Sequence, residues 1–166
     1  MIDEATKQKA REIRGAIQDG DRSRVEALLV DGANLLNLMT PFGTWLHVAA
    51  SAGKLDIVKM LVAMGIDPNE RGDIFNGNPL HIAALDGHYE IVEYLLARGA
   101  EMDTSEPERN PLFGAILGGH FDIVKLLIAK GIDYSVKYTG ESMKDMDALA
   151  FAHERGQVEI ESFLQE

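Results

Sequence analysis

The chain has 166 residues, 46% of them hydrophobic, with 16 Lys and Arg against 27 Asp and Glu and a formal net charge of -11. That length can bury a core within one domain, the anionic balance disfavours nucleic acid and anionic lipid, and the lack of cysteine excludes disulfides and thiolate zinc sites. No stretch approaches the roughly 20 apolar residues of a membrane span, and the first nine residues have no apolar core of the secretory kind, so a soluble cytoplasmic protein is expected.

Residues from about Glu4 to Gln18 are polar and charged, with Lys7, Lys9, Arg11 and Arg14 set around a narrow apolar stripe of Ala10, Ile13 and Ile17. That spacing predicts a helix with a single buried face. Beyond it a pattern recurs four times: a glycine followed twelve positions later by another, at Gly20–Gly32, Gly53–Gly65, Gly87–Gly99 and Gly119–Gly131. Apolar pairs fall at matching offsets inside these windows. They are Ile57-Val58 with Met60-Leu61, Ile91-Val92 with Tyr94-Leu95, and Ile123-Val124 with Leu126-Leu127, whereas the first window offers a looser Val25 with Ala27-Leu28. Each window reads as one short outer helix, because Asp56, Glu90 and Asp122 favour its positive end and the closing glycine suits a left-handed C-cap.

Ahead of these windows lie inner helical segments, Trp45–Ala52, Pro79–Asp86 and Pro111–Gly118. Pro79 and Pro111 stand at the first helical position, where a missing N–H costs little, and Thr44, Asn78 and Asn110 are N-cap types. Polar, turn-rich stretches such as Asp67–Gly77 precede the inner helices and read as extended, hairpin-like loops. The unit is therefore loop, helix, helix. Leu46 to Leu80 spans 34 positions, Leu80 to Leu112 spans 32 and Leu112 to Leu149 spans 37, so length varies in the loops while the outer windows stay constant. Exposed loops accept such changes at small entropic cost. The last unit keeps only Ala148-Leu149-Ala150, Gly156, Ile160 and Leu164.

This arrangement resembles the ankyrin repeat, and the third unit carries the fullest match: Asn78-Pro79-Leu80-His81, Ala83-Ala84, Gly87-His88, Leu95-Leu96 and Gly99-Ala100. The second unit departs by placing Trp45 where proline is usual, and the fourth by placing Phe113 where histidine is usual. The resemblance implies an all-α solenoid over residues 1–166 with about five units, near 4–36, 37–70, 71–103, 104–136 and 137–166. The three central units are full, and the terminal ones are degenerate because each has one neighbour and faces water on its other side.

Five histidines invite a catalytic or metal-binding reading, but equivalent positions in successive units stand a whole repeat apart, which scatters rather than gathers them. His47 and His81 lie three residues after Thr44 and Asn78, within bonding reach inside one turn, and are expected to tie adjacent units together. No nucleophile elbow, phosphate-binding loop, His-Glu-x-x-His or EF-hand pattern is present. Neither catalytic residues nor a cofactor nor a metal is expected, and a non-enzymatic protein is the reading adopted.

In ankyrin proteins, loop tips and inner-helix ends line a concave binding face. Mapped onto this chain, that face takes Phe42 and Trp45, Ile74 and Phe75, Leu85 and Asp86, then Glu106, Glu108, Arg109 and Leu117, and finally Met143, Met146 and Arg155. An Ile-Phe pair at a loop tip is not needed for the turn, so either neighbouring loops or a partner must cover it. The acidic balance suits a basic protein partner, and monomer is the expected free state. Small ankyrin proteins of this kind include bacterial immunity proteins that neutralise toxins, so the resemblance implies an inhibitor. Alternatives are an adaptor that joins two proteins without silencing either, a kinase inhibitor, or an enzyme using the histidines.

Overall fold

The structure is a computed structural model and describes residues 3–30, 35–72, 76–140 and 143–166. Ten helices occur among them: α1 (Glu4–Asp19), α2 (Arg22–Val30), α3 (Trp45–Ser51), α4 (Leu55–Ala63), α5 (Pro79–Leu85), α6 (Tyr89–Ala97), α7 (Pro111–Gly118), α8 (Phe121–Ala129), α9 (Ala148–Glu154) and α10 (Val158–Leu164). Odd-numbered helices form an inner row, each packed on the next, and even-numbered helices form an outer row packed the same way. Every inner helix also packs on the outer helix that follows it, so the apolar seam is continuous from α1 to α10.

The seam is built from the repeated offsets. Leu61, Leu95 and Leu127 are fully buried, as are Val58, Val92 and Val124 one turn earlier, because residues three or four apart share one helix face. In α1 the buried residues are Ile13, Ala16 and Ile17. Gly99 closes α6 at φ +84°, and its N–H donates to Leu96 O at 3.1 Å. The first outer helix departs from the expected Ala27-Leu28 pairing: Val25 and Leu29 are buried, Leu28 is half-buried and Ala27 is exposed. With an outer neighbour only at α4, α2 packs with a slightly different face inward.

Asn78 and Asn110 cap their helices as expected, accepting from His81 N at 3.2 Å and from Leu112 N at 2.9 Å. Hairpin character is slight. Among the described residues the loops hold isolated antiparallel bridges, Thr40 with Gly43, Gly72 with Gly77 and Tyr138 with Met146, and no strand. The fourth unit's loop turns instead: Arg109 and Asn110 both donate backbone N–H to Glu106 O at 3.1 Å. Pro107 explains the difference, since it has no N–H to pair across a hairpin and its fixed φ suits the second position of a tight turn.

Candidate protein-binding face

Four of the five imidazoles tie neighbouring units, and the fifth, His153, meets Glu161 within the last unit at 3.0 Å. His47 Nδ1 accepts from the Thr44 backbone N–H at 3.1 Å, which leaves the proton on Nε2 to be donated to Gly77 O of the next unit at 3.1 Å. His81 Nδ1 lies 3.3 Å from Asn110 O, again one unit on. His88 and His120 reach the other way, their Nε2 atoms 2.9 Å from Ser51 O and 3.0 Å from Leu85 O. Each ring covers the glycine of the preceding unit, so that a Cβ built at Gly53 would lie 2.6 Å from His88 and one at Gly87 would lie 2.5 Å from His120. Lys54 over Gly20 and Gln157 over Gly119 occupy the same register at the two ends of the stack. The described residues contain no group of three His, Asp or Glu placed to hold a metal ion.

Where inner-helix ends meet loops, the surface opens into clefts. One of about 680 Å³ is lined by Arg14, Phe42, Lys54, Ile82, Leu85 and Asp86. A second, of about 140 Å³, adjoins it through Leu85 and is lined by Glu108, Leu117, Met143 and Arg155. Phe42 and Leu117 are 52% and 49% exposed, so each of the two clefts has one apolar side chain facing water. Polar groups are already aimed: Asp86 accepts from Ser51 Oγ at 2.7 Å, and the Arg155 guanidinium sits 4.9 Å from the centre of the Phe151 ring. Glu106, Glu108 and Met143 also line a polar cleft of about 430 Å³ against Lys137 and Tyr138.

Known proteins match on the same elements. Residues 13–106 and 46–138 fit the family described as ankyrin repeats (3 copies), well over half of the chain. The chain belongs to the ankyrin-repeat family. A mouse (Mus musculus) protein, 2-5A-dependent ribonuclease, is 44% identical over 57 residues, which is 34% of this chain and 8% of that protein. So small a share of the ribonuclease's length says nothing of ribonuclease activity in this chain.

As an ankyrin-repeat domain the chain is a protein–protein interaction module, and one residue assigned to its binding face moves to the core. Trp45 has no exposed surface; its indole N–H donates to Leu35 O at 2.7 Å. Standing where ankyrin repeats usually carry proline, the indole turns inward and its one polar atom finds a backbone acceptor, as a buried tryptophan requires. Ile74 and Phe75 lie outside the described residues. Met146 is half-buried and its backbone is taken up by the bridge to Tyr138, while Arg109 donates to Ser105 Oγ at 3.1 Å; neither lines the joined groove. Sequence reasoning missed Arg14, Lys54 and Ile82. Ile82 precedes Leu85 by three positions and so shares its face, a signal the helical period contained.

Loops of this ankyrin domain are tied across units by side chains. Asn69 accepts from Glu101 N at 2.7 Å and donates to Gly99 O at 3.0 Å. Arg71 pairs with Asp103 at 2.5 Å. Partial burial pushes the Asp103 carboxyl up, but hydrogen bonds from Ser105 and the charges of Arg71 and Arg109 outweigh it, leaving that carboxyl below its ordinary range. Tyr138 donates to Thr104 O at 2.7 Å and accepts from Asn110 Nδ2 at 2.9 Å. Burial, followed by the nearby carboxylates of Asp103, Glu106 and Asp133, pushes its phenol up despite the Asn110 bond. Phe113, in place of the usual histidine, stacks on Phe151 at 4.6 Å and meets Tyr138 edge-on at 5.0 Å. Aromatic packing there replaces the hydrogen-bonded tie of the preceding units. No helix among the described residues is long and apolar enough to cross a membrane.

Proposed function

We propose that this ankyrin domain works without catalysis, gripping a basic protein along the groove from Phe42 through Leu85 to Leu117 and blocking that protein's activity. The observation that carries the reading is the joined groove itself, where Phe42, Leu85 and Leu117 offer apolar anchors; its lining mixes Asp86 and Glu108 with Arg14, Lys54 and Arg155, so the basic character of the partner rests on the charge of the chain as a whole. Apolar anchors with a charged rim are the arrangement in which a few residues supply most binding energy. Residues 31–166 hold twenty-one Asp and Glu against ten Lys and Arg, a field that favours encounter with a cationic partner. Binding is the output of such a module, and an immunity-type neutraliser of a basic effector is the form proposed.

Capture from a lysate of the protein's own source, followed by an assay of what is captured, tests this. An inhibitor silences its partner and the complex weakens as salt rises; Glu106→Lys with Glu108→Lys should weaken it further. A captured partner that keeps full activity would mean an adaptor instead. Indifference to both salt and charge reversal would remove the basic partner from the proposal.

A further inference from the structure

The N-terminal unit has a further opening, whose lining holds cations and no carboxylate. Helix α1 runs for sixteen residues where the central inner helices run for seven or eight, so its first turns extend alongside the loop that ends in the Thr40–Gly43 bridge. Between them lies a cleft of about 490 Å³, within the range of specific ligand sites. Lys7, Arg11 and Arg14, at helical spacing on one face of α1, form one wall; Met39 and Phe42, 43% and 52% exposed, form the other. Beneath them is the buried Trp45.

These cations are unlike the rest of the surface. Residues 3–30 carry six Lys and Arg and six Asp and Glu, so the whole excess of eleven negative charges falls on residues 31–166. Lys7 pairs with Glu4 at 2.6 Å, whereas neither Arg11 nor Arg14 has a carboxylate at ion-pair distance among the described residues. The Arg14 guanidinium lies 4.9 Å from the centre of the Phe42 ring, which holds one wall against the other. A planar guanidinium fixed by stacking keeps edge N–H groups for a carboxylate.

We infer that this cleft is a second docking site, which takes a short acidic segment of a partner protein carrying one apolar side chain. Charge complementarity chooses the class of occupant. Carboxylates meet Lys7, Arg11 and Arg14, and the apolar side chain lies against Met39 and Phe42. The acidic body chooses the length: a long polyanion such as a nucleic acid, or a flat anionic membrane, would have to run over the negative surface of residues 31–166, while a short segment stays within a Debye length, about 8 Å at physiological salt, of the cations. Arg14 and Phe42 line both this cleft and the joined groove, whereas Lys7 and Arg11 line this cleft and not the groove, so substitutions at Lys7 and Arg11 test the inference separately from the proposed inhibitory function.

Fluorescence anisotropy with a short labelled Asp/Glu peptide containing one Phe, at about 0.15 M salt, tests it. The full chain should bind this peptide at least about tenfold more tightly than an Asn/Gln peptide of the same length. Lys7→Gln with Arg11→Gln should weaken binding by about tenfold while leaving the melting temperature and helical circular dichroism unchanged. Equal affinity for the uncharged peptide, or binding untouched by the double substitution, would overturn the inference. So would tighter binding of a single-stranded oligonucleotide, or sedimentation showing that the cleft is filled by a second copy of the chain.

Discussion

At the scale of single residues, the ladder of N-cap side chains over glycines holds one unit against the next. Gly87 combines φ +82° with the His120 ring lying where a Cβ would go, while Gly99 has a similar φ of +84° and open space around it. Gly99→Ala should therefore cost only the left-handed backbone penalty of about 1–2 kcal/mol, and Gly87→Ala should cost clearly more; urea unfolding of the two variants measures the difference. Trp45 and Phe42, three residues apart and both aromatic, separate stability from binding. Trp45→Ala should lose about 3–5 kcal/mol of stability. Phe42→Ala should change stability by about 0.5 kcal/mol or less and weaken partner capture, as calorimetry alongside a pull-down would show.

Elements are joined by loop-to-loop ties as well as by helix packing. The Arg71–Asp103 pair connects the loops of neighbouring units, and its aspartate carboxyl titrates below the ordinary value of 3.8. A depressed carboxyl contributes stability that is fully present above the unfolded-state value and is lost as pH falls through the lower folded-state value. The tie should thus hold at neutral pH and weaken only in acid, below about pH 4. Asp103→Asn should lower stability at pH 7 by about 1 kcal/mol and flatten the acid limb of the stability curve. A variant whose curve overlays the parent through that limb would show that the pair stabilises nothing. Tyr138 anchors the other side of the same loop through Thr104 and Asn110.

For the whole molecule, a stack in which each unit touches only its neighbours makes position along the chain matter. Leu95 is fully buried in the outer row between α4 and α8, so Leu95→Ala should cost about 2–5 kcal/mol and reduce the cooperativity of the whole transition. Leu164 is half-buried at the far end of α10, and Leu164→Ala should fray that terminal unit with little effect on the rest. Hydrogen exchange resolved by helix distinguishes the two outcomes. Charge is also distributed at this scale, with a neutral N-terminal helix pair joined to a strongly acidic remainder.

Local rules made most of the fold legible. Helix starts at Pro79 and Pro111, the stops at Gly65, Gly99 and Gly131 and the buried Leu61, Leu95 and Leu127 follow from propensities and periods that act within a few residues, whereas in the first window Leu29 is buried in place of the expected Leu28 and Gly32 lies outside the described residues. The loops and the binding face were less legible, because whether an aromatic faces water depends on what another unit places opposite it. Trp45 shows this directly: composition and position made it a binding residue, and only the stacking of α1, α3 and the 35–44 loop gave its indole a pocket and its N–H a carbonyl. The groove likewise gathers Leu85, Glu108, Leu117 and Arg155 from three units, and the cationic cleft joins α1 to a loop some thirty residues away. Sequence alone determined that these units repeat and stack; which side chains the stacking leaves open to a partner was decided by packing between units distant along the chain.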